Sequence, residues 1–315
     1  MRWMRGVSVI AVAMLALAAC GDNGDNGEAG TDDVEPAAES DVTVAVVTAY
    51  YSSDATKQVV DEFADIGEAR GWTVDVNDSA GDFDRLNSAM QDAVTRGVDA
   101  IVIGMGDPGQ MARGLSAASD ADIPVFAIDA APAEGIVTNV TSDNADLGQQ
   151  SAQWLIDEVG DGGRIIMFTH DPHPGVNARA EAAAALFDDA GIEIVQRIHV
   201  EVPGPVDDAR SSMQDYLTAN PGDDAVDGVW AGWDEPALGA SQAIESAGRD
   251  GFTVVGVDGQ DFAIAEIEGD GPFGATVKQD WDRIATEMAD IVAAYLDGTE
   301  PDSEQIEIPG ELLTR

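Results

Sequence analysis

From Val42 onward the chain alternates short, wholly apolar runs with longer segments of helical periodicity, and it completes that cycle twice. Val42-Thr43-Val44-Ala45-Val46-Val47, Ala100-Ile101-Val102-Ile103 and Pro124-Val125-Phe126-Ala127-Ile128 have strand length and almost no polar face. Such runs are stable as strands only when both sheet faces are covered, which is the condition inside a parallel sheet flanked by helices. Helical patterns fill the intervals: one ends at Arg70, one runs from an Asp82 cap to Arg96, and one follows Pro108 in a first turn. A second round predicts strands near 136–140, 164–169, 193–199, 227–232 and 252–257. Its helices are expected near 143–159, 175–190, 206–219, 235–247 and 260–268. Right-handed crossovers turn this alternation into doubly wound layers, and about ten units exceed one comfortable sheet. The expected fold class is α/β, with two doubly wound parallel-sheet lobes.

The 315 residues carry 15 Lys+Arg against 60 Asp+Glu, for a formal charge of -45. A chain this acidic does not neutralise phosphates, so nucleic acid is excluded as a partner. The only lysines are Lys57 and Lys278, which leaves no basic membrane patch. A hydrophobic fraction of 44% excludes general disorder, and a single Cys excludes an internal disulfide framework. Arg2 and Arg5 precede an apolar run from Val7 to Ala19. That run is shorter than the roughly 20 residues a membrane span requires, so residues 1–19 read as a signal peptide. Leu17-Ala18-Ala19-Cys20 resembles a bacterial lipobox, which implies lipidation of Cys20 and an extracytoplasmic chain held to the cell membrane through that lipid alone. Residues 20–40 are acidic and glycine-rich, lack bulky apolar side chains, and read as a flexible tether. Their Asp/Asn pattern lacks the ligand spacing of a calcium loop.

Parallel sheets bind ligands beyond the carboxyl ends of their strands. The residues that follow the apolar runs are Thr48 to Ser53, Asp129, Thr169-His170-Asp171, Gly232-Trp233-Asp234, Asp258 and Lys278-Gln279-Asp280. They supply aromatics, carboxylates and amides but no nucleophile, base and orienter set, so a binding protein is expected rather than an enzyme. Gly104-Met105-Gly106-Asp107-Pro108-Gly109 spells a dinucleotide fingerprint, but it occupies the third strand-to-helix turn rather than the first, and Asp107-Pro108 reads as a helix start. His170 and His173 in a proline-containing loop, with His199 the one other His, make a poor metal set. No metal and no cofactor are expected. No P-loop lysine is present, so any ATPase would be a separate chain.

Five segments in order resemble the type I periplasmic sugar-binding proteins, the ribose- and galactose-binding family of ABC importers. They are Arg96-Gly97-Val98-Asp99-Ala100-Ile101, His173-Pro174-Gly175-Val176-Asn177-Ala178-Arg179, Trp233-Asp234-Glu235-Pro236-Ala237-Leu238-Gly239-Ala240, Val254-Val255-Gly256-Val257-Asp258-Gly259 and Ala275-Thr276-Val277-Lys278-Gln279. The resemblance covers roughly residues 42 to 300 and implies two lobes joined by a three-strand hinge. By analogy the first lobe takes residues 41–138 and 280–300, and the second takes 139–279 and 301–315. Val137-Thr138-Asn139, Gln279-Asp280 and Glu300-Pro301 would then lie near the hinge.

The resemblance also implies a site. Asp129 matches the family's ligand-contacting Asp, although Ala130 stands where the ribose binder has Arg. Arg179 would fork toward ligand oxygens, Asp258 would accept hydroxyl protons, and Gln279 would bond from the hinge side. Tyr50 or Tyr51 would stack on a sugar ring, with ordinary packing the alternative for either. Trp233 replaces the family's Asn, Asp234 is a ligand group or a helix cap, and His173 and Asn177 are further candidates. The implied protein is a monomeric, lipid-anchored receptor that binds a monosaccharide or polyol and delivers it to an ABC permease with its own ATPase subunit. The alternatives are a binder of a non-sugar (a furanosyl signal, a nucleoside or an amino acid) feeding a sensor, or an exported sugar enzyme. A sugar-responsive repressor would need a basic helix-turn-helix, and the first 40 residues contain none.

Overall fold

The computed structural model describes residues 42–222 and 226–315. The signal peptide, Cys20 and the tether lie outside the described residues. The first round comprises β1 (Thr43–Thr48), α1 (Asp54–Ala69), β2 (Thr73–Asp78), α2 (Phe83–Arg96), β3 (Ala100–Gly104), α3 (Ala112–Asp120), β4 (Val125–Ile128) and β5 (Asn139–Ser142). The second comprises α4 (Asn144–Val159), β6 (Arg164–Thr169), α5 (Pro174–Asp189), β7 (Glu193–His199), α6 (Pro205–Ala219), β8 (Gly228–Ala231), α7 (Asp234–Ser246), β9 (Thr253–Asp258), α8 (Asp261–Glu268) and β10 (Phe273–Lys278). The chain closes with α9 (Trp281–Leu296), β11 (Gln305–Ile308) and β12 (Glu311–Thr314). Among the described residues no helix is long and apolar enough to cross a membrane.

The strands form two sheets of six, ordered β11-β5-β4-β3-β1-β2 and β12-β10-β9-β8-β6-β7. Every ladder is parallel except β10 with β12. Alternation on a strand buried on both faces explains the core. Ile166 and Phe168 of β6 pack with α6 and α7, whereas Ile165 and Met167 point the other way against α4 and α5. In the first lobe, α9 returns from the far end of the sequence, and Ile284, Met288 and Val292 join the core built on β1, β3 and β4.

Local capping follows the sequence. Asp82 Oδ1 accepts from the backbone N–H of Asp84 and Arg85, and Arg96 is followed by Gly97 in the left-handed conformation that ends α2. Asp107 accepts from the Gly109 N–H at 2.9 Å and caps a short turn beginning at Pro108, so the literal glycine fingerprint is a capped turn.

The crossings between lobes differ from expectation at two of three places. Asn139–Ser142 pairs with β4 and Gln305–Ile308 pairs with β5, so both strands belong to the first sheet. The first crossing therefore falls after Ser142, not at 138, and the third between Ile308 and Glu311, not at 300. The predicted division of the tail fails for the same reason: residues 305–308 extend the first sheet, while 311–314 edge the second. The pairing that moves these boundaries joins Gln305 to Asn139, a partnership that local pattern does not encode. The middle crossing lies between Lys278 and Trp281.

Candidate functional site

The carboxyl ends of both sheets face a cavity between the lobes. Tyr50, Ser53, Thr56, Met105, Asp129 and Trp281 line it from the first lobe, and His170, His173, Val176, Arg179, Trp233 and Asp258 from the second. The first-lobe set follows β1, β3, β4 and the start of α9, and the second-lobe set follows β6, β8 and β9. Three lining residues, Met105 (φ 61°), Asp129 (φ 44°) and Asp258 (φ 130°), hold a positive φ although none is glycine. Non-glycine backbone of this kind costs energy and collects where surrounding structure fixes a side chain for a task. In all three cases the residue ends or directly follows a strand, and the turn aims its side chain at the cavity.

Arg179 is the centre of the polar side. Its side chain is 2% exposed. Nε donates to Asn144 Oδ1 at 2.6 Å, and Nη1 donates to the Gly232 carbonyl at 3.0 Å and to Asp258 Oδ1 at 3.4 Å. Nη2 faces Asp129 Oδ2 at 3.6 Å, too long for a hydrogen bond. Asp129 Oδ1 accepts from Thr141 Oγ1 at 2.6 Å and Asn144 Nδ2 at 3.1 Å. Its Oδ2 is left facing His173 Nε2 at 3.8 Å and the guanidinium. Gln279 Nε2 donates to Asp258 Oδ1 at 2.6 Å. Arg179 is seated by close helix packing: a Cβ on Gly148 of α4 would strike the Arg179 carbonyl.

Burial and charge act against each other here. Burial would raise the Asp129 carboxyl, but His173, Arg179 and the two hydrogen-bond donors outweigh it and hold the group below the ordinary carboxylate range. Asp258 goes the other way: burial and the nearby Asp234 carboxyl raise it well above that range despite Arg179 and Gln279. Burial pushes His173 down to about 4, with Asp129 opposing, and lowers His170. Both imidazoles are therefore neutral at pH 7. Burial, helped by Asp107, pushes the Tyr50 phenol up to about 12.

The lobes are closed over this cavity. Ser53 Oγ donates to Glu235 Oε2 at 2.7 Å across the cleft, and Gln260 Nε2 donates to Gln58 Oε1 at 3.3 Å. The Tyr50 ring lies 5.7 Å from His170 and 5.6 Å from His173.

Seven of the predicted residues come together: Tyr50, Asp129, His173, Arg179, Trp233 and Asp258 line the cavity, and Gln279 holds Asp258 from behind. Three do not. Tyr51 turns away onto α1, where its hydroxyl bonds Asp61 and the Lys57 ammonium lies 5.1 Å from its ring. Asn177 is exposed, since two residues along a helix place it on the face opposite Arg179. Asp234 is fully buried and neither touches ligand space nor caps its own helix. It accepts from Thr276 Oγ1 at 2.6 Å and Gln260 N at 2.9 Å, pinning β10 to α8, and burial raises it to about 7. Sequence reasoning missed Met105, Trp281 and the lobe-bridging Glu235, and gave His170 no ligand role. Met105 and His170 sat at strand ends and were findable there. Trp281 carries no local signal of its role, because nothing in the nearby sequence tells that the first turn of α9 faces a cleft.

Residues 44–300 match the periplasmic binding protein domain. The chain is also 31% identical over 229 residues to the ribose import binding protein of Bacillus subtilis (strain 168), covering 70% of this chain and 72% of the relative.

The chain belongs to the periplasmic binding protein family.

Within that family it is similar to the D-apiose import binding protein of Actinobacillus succinogenes, at 26% identity over 76% of this chain and 77% of that one. Its fold matches the ABC transporter solute-binding protein of Agrobacterium vitis solved with bound allitol: TM-score 0.83, 24% identity, 88% of this chain and 96% of the other. These relatives are transport solute-binding proteins, not enzymes, and the two six-stranded α/β lobes of this binding protein are the type I arrangement.

Proposed function

We propose that the protein binds a monosaccharide or polyol between its lobes and delivers it to an ABC permease, acting as an extracytoplasmic monomer anchored through lipidated Cys20. The observation that carries this reading is the convergence of Asp129, Arg179 and Asp258, backed by Gln279, with Tyr50, Trp233 and Trp281 on one interlobe cavity. Charged and amide groups hydrogen-bond ring hydroxyls, and flat aromatics cover the C–H faces. Relatives named for ribose and D-apiose import support the ligand class. The lipobox-like Leu17-Ala18-Ala19-Cys20 supports the anchor.

Met105, Val176 and Val202 give the cavity an apolar side, which favours a nucleoside or another furanosyl compound as the second reading. An amino acid is disfavoured: Arg179 Nε and Nη1 donate to Asn144, Gly232 and Asp258, which leaves Nη2 alone and no two-nitrogen fork for a carboxylate.

The experiment is a thermal-shift and calorimetric panel of pentoses, hexoses, polyols, amino sugars, nucleosides and amino acids. An importer ligand is expected to bind with Kd on the order of micromolar, about -8 kcal/mol. At about 100 times Kd it stabilises the fold by about 2.7 kcal/mol. Failure of every sugar and polyol refutes the reading, and a nucleoside as sole binder selects the alternative.

A further inference from the structure

His170 and His173 stand three residues apart on the loop from β6 to α5, and both line the cavity. Their tautomers are opposite. His170 Nδ1 lies 2.9 Å from the Val200 carbonyl, which only accepts, so Nδ1 carries the hydrogen and Nε2 presents a lone pair. His173 Nδ1 accepts from the Val176 N–H at 3.3 Å, so its hydrogen sits on Nε2 and points toward Asp129. The His170 ring is held in place by stacking on His199 at 5.1 Å and by edge contact with Trp233 at 6.1 Å.

Seven buried side-chain polar atoms lack a partner among the described residues, and three belong to residues that line this one cavity: Tyr50 OH, His170 Nε2 and Trp281 Nε1. Buried polar atoms are normally satisfied, so orphans concentrated on one hollow mark what a ligand must supply. Their chemistry is directional. His170 Nε2 only accepts, Trp281 Nε1–H only donates, and the Tyr50 hydroxyl does both.

We propose that His170 and Trp281 are specificity-determining ligand contacts, His170 Nε2 accepting from a ligand hydroxyl and Trp281 Nε1–H donating to a ligand oxygen. The inference rests on the proposed sugar or polyol binding and narrows it. Because His170 belongs to the second lobe and Trp281 to the first, a ligand that meets both bonds across the cleft. The ligand carries at least one hydroxyl hydrogen, for His170, and one oxygen lone pair, for Trp281. Phosphate or carboxylate oxygen opposite His170 sets lone pair against lone pair, so the ligand is neutral, unphosphorylated and free of uronate there. An O-methyl or deoxy group opposite His170 is rejected for want of a donor.

The test uses the full protein and the tightest neutral sugar or polyol from a defined panel (D-ribose, D-xylose, xylitol, D-galactose, myo-inositol), with its monodeoxy analogues, measured by calorimetry. Trp281→Phe keeps an aromatic ring while removing the N–H and the fused five-membered ring, and His170→Phe keeps a flat ring while removing both nitrogens. Each is expected to weaken binding at least tenfold. One monodeoxy analogue is expected to bind wild type weakly yet lose little further affinity in Trp281→Phe, because the deleted partners belong to the same bond. Should His170→Phe fail to fold, His170→Leu, which also lacks an acceptor, and Trp281→Phe still decide the matter. Binding within twofold of wild type in Trp281→Phe and in a folded His170 variant overturns the inference alone, and means that water, not ligand, meets these atoms. If wild type binds no panel compound while Asp258→Asn is equally silent, the proposed function fails and this inference with it.

Discussion

Ser53 at the N-cap of α1 donates its hydroxyl hydrogen to Glu235 on α7, a bond that crosses from one lobe to the other. Glu235 is 7% exposed and also accepts from Trp233 Nε1 at 3.0 Å, so the latch is tied to a cavity-lining ring. Burial raises its carboxyl, with Ser53 opposing. Closure is an equilibrium, and a contact present only in the closed form shifts it by its own free energy. Ser53→Ala is expected to weaken ligand binding about tenfold, the worth of about one hydrogen bond to a charged group. Small-angle scattering is expected to find a larger radius of gyration for the ligand-free variant. Unchanged affinity and radius would remove the latch role.

Arg179 and Asp258 separate under substitution, although they touch. Arg179→Ala leaves Asp129 and Asp258 buried without their shared cation and strips Asn144 and Gly232 of a donor. Breaking such a buried arrangement costs about 3–5 kcal/mol of stability. Asp258→Asn keeps an oxygen for Gln279 and Arg179, so it is expected to fold near wild-type stability with affinity lowered at least tenfold. Urea unfolding and calorimetry check both. Equal stability of the two variants would mean that Arg179 serves the ligand alone.

The His173 imidazole titrates far below a free histidine because burial disfavours its cation, Asp129 opposing and Arg179 assisting. The folded protein takes up this proton near pH 4, the unfolded chain near 6.5. In that window the unfolded chain binds more protons, so the His173 contribution to stability falls as pH falls. Asp234, Asp258 and Glu235 have raised pKa values and contribute with the opposite sign, so the comparison must be a difference. His173→Asn retains a cap acceptor for the Val176 N–H and removes the titration. From pH 7 to pH 5 the advantage of wild type over this variant is expected to shrink by about 2 kcal/mol in urea unfolding. A constant difference would contradict the depressed value.

Cys20→Ala is expected to release the protein from membranes in cell fractionation, with the soluble chain binding its ligand as before. Continued membrane attachment of the variant would refute lipid anchoring.

Much of this could be read before any coordinates. Strand ends are legible because a fully apolar run stops where the chain leaves a covered sheet, and so Tyr50, Asp129, Trp233 and Asp258 stood out. Their conformations were not legible: Asp129 and Asp258 hold a positive φ that no local pattern announces. Asn177 and Arg179 share one motif, yet only Arg179 faces inward, because the packing of α4 on α5 fixes which side of α5 is buried.

By itself the sequence determined the order of strands and helices through residue 268, the two-lobe α/β class and the polar residues at the strand ends, since each depends on neighbours within a few positions. The tertiary structure alone decided that Gln305–Ile308 completes the first sheet beside β5, that Trp281 turns into the cleft, and that the two loop histidines hold opposite tautomers. Those outcomes depend on hydrogen bonds and packing between segments far apart in the chain, which no local periodicity records.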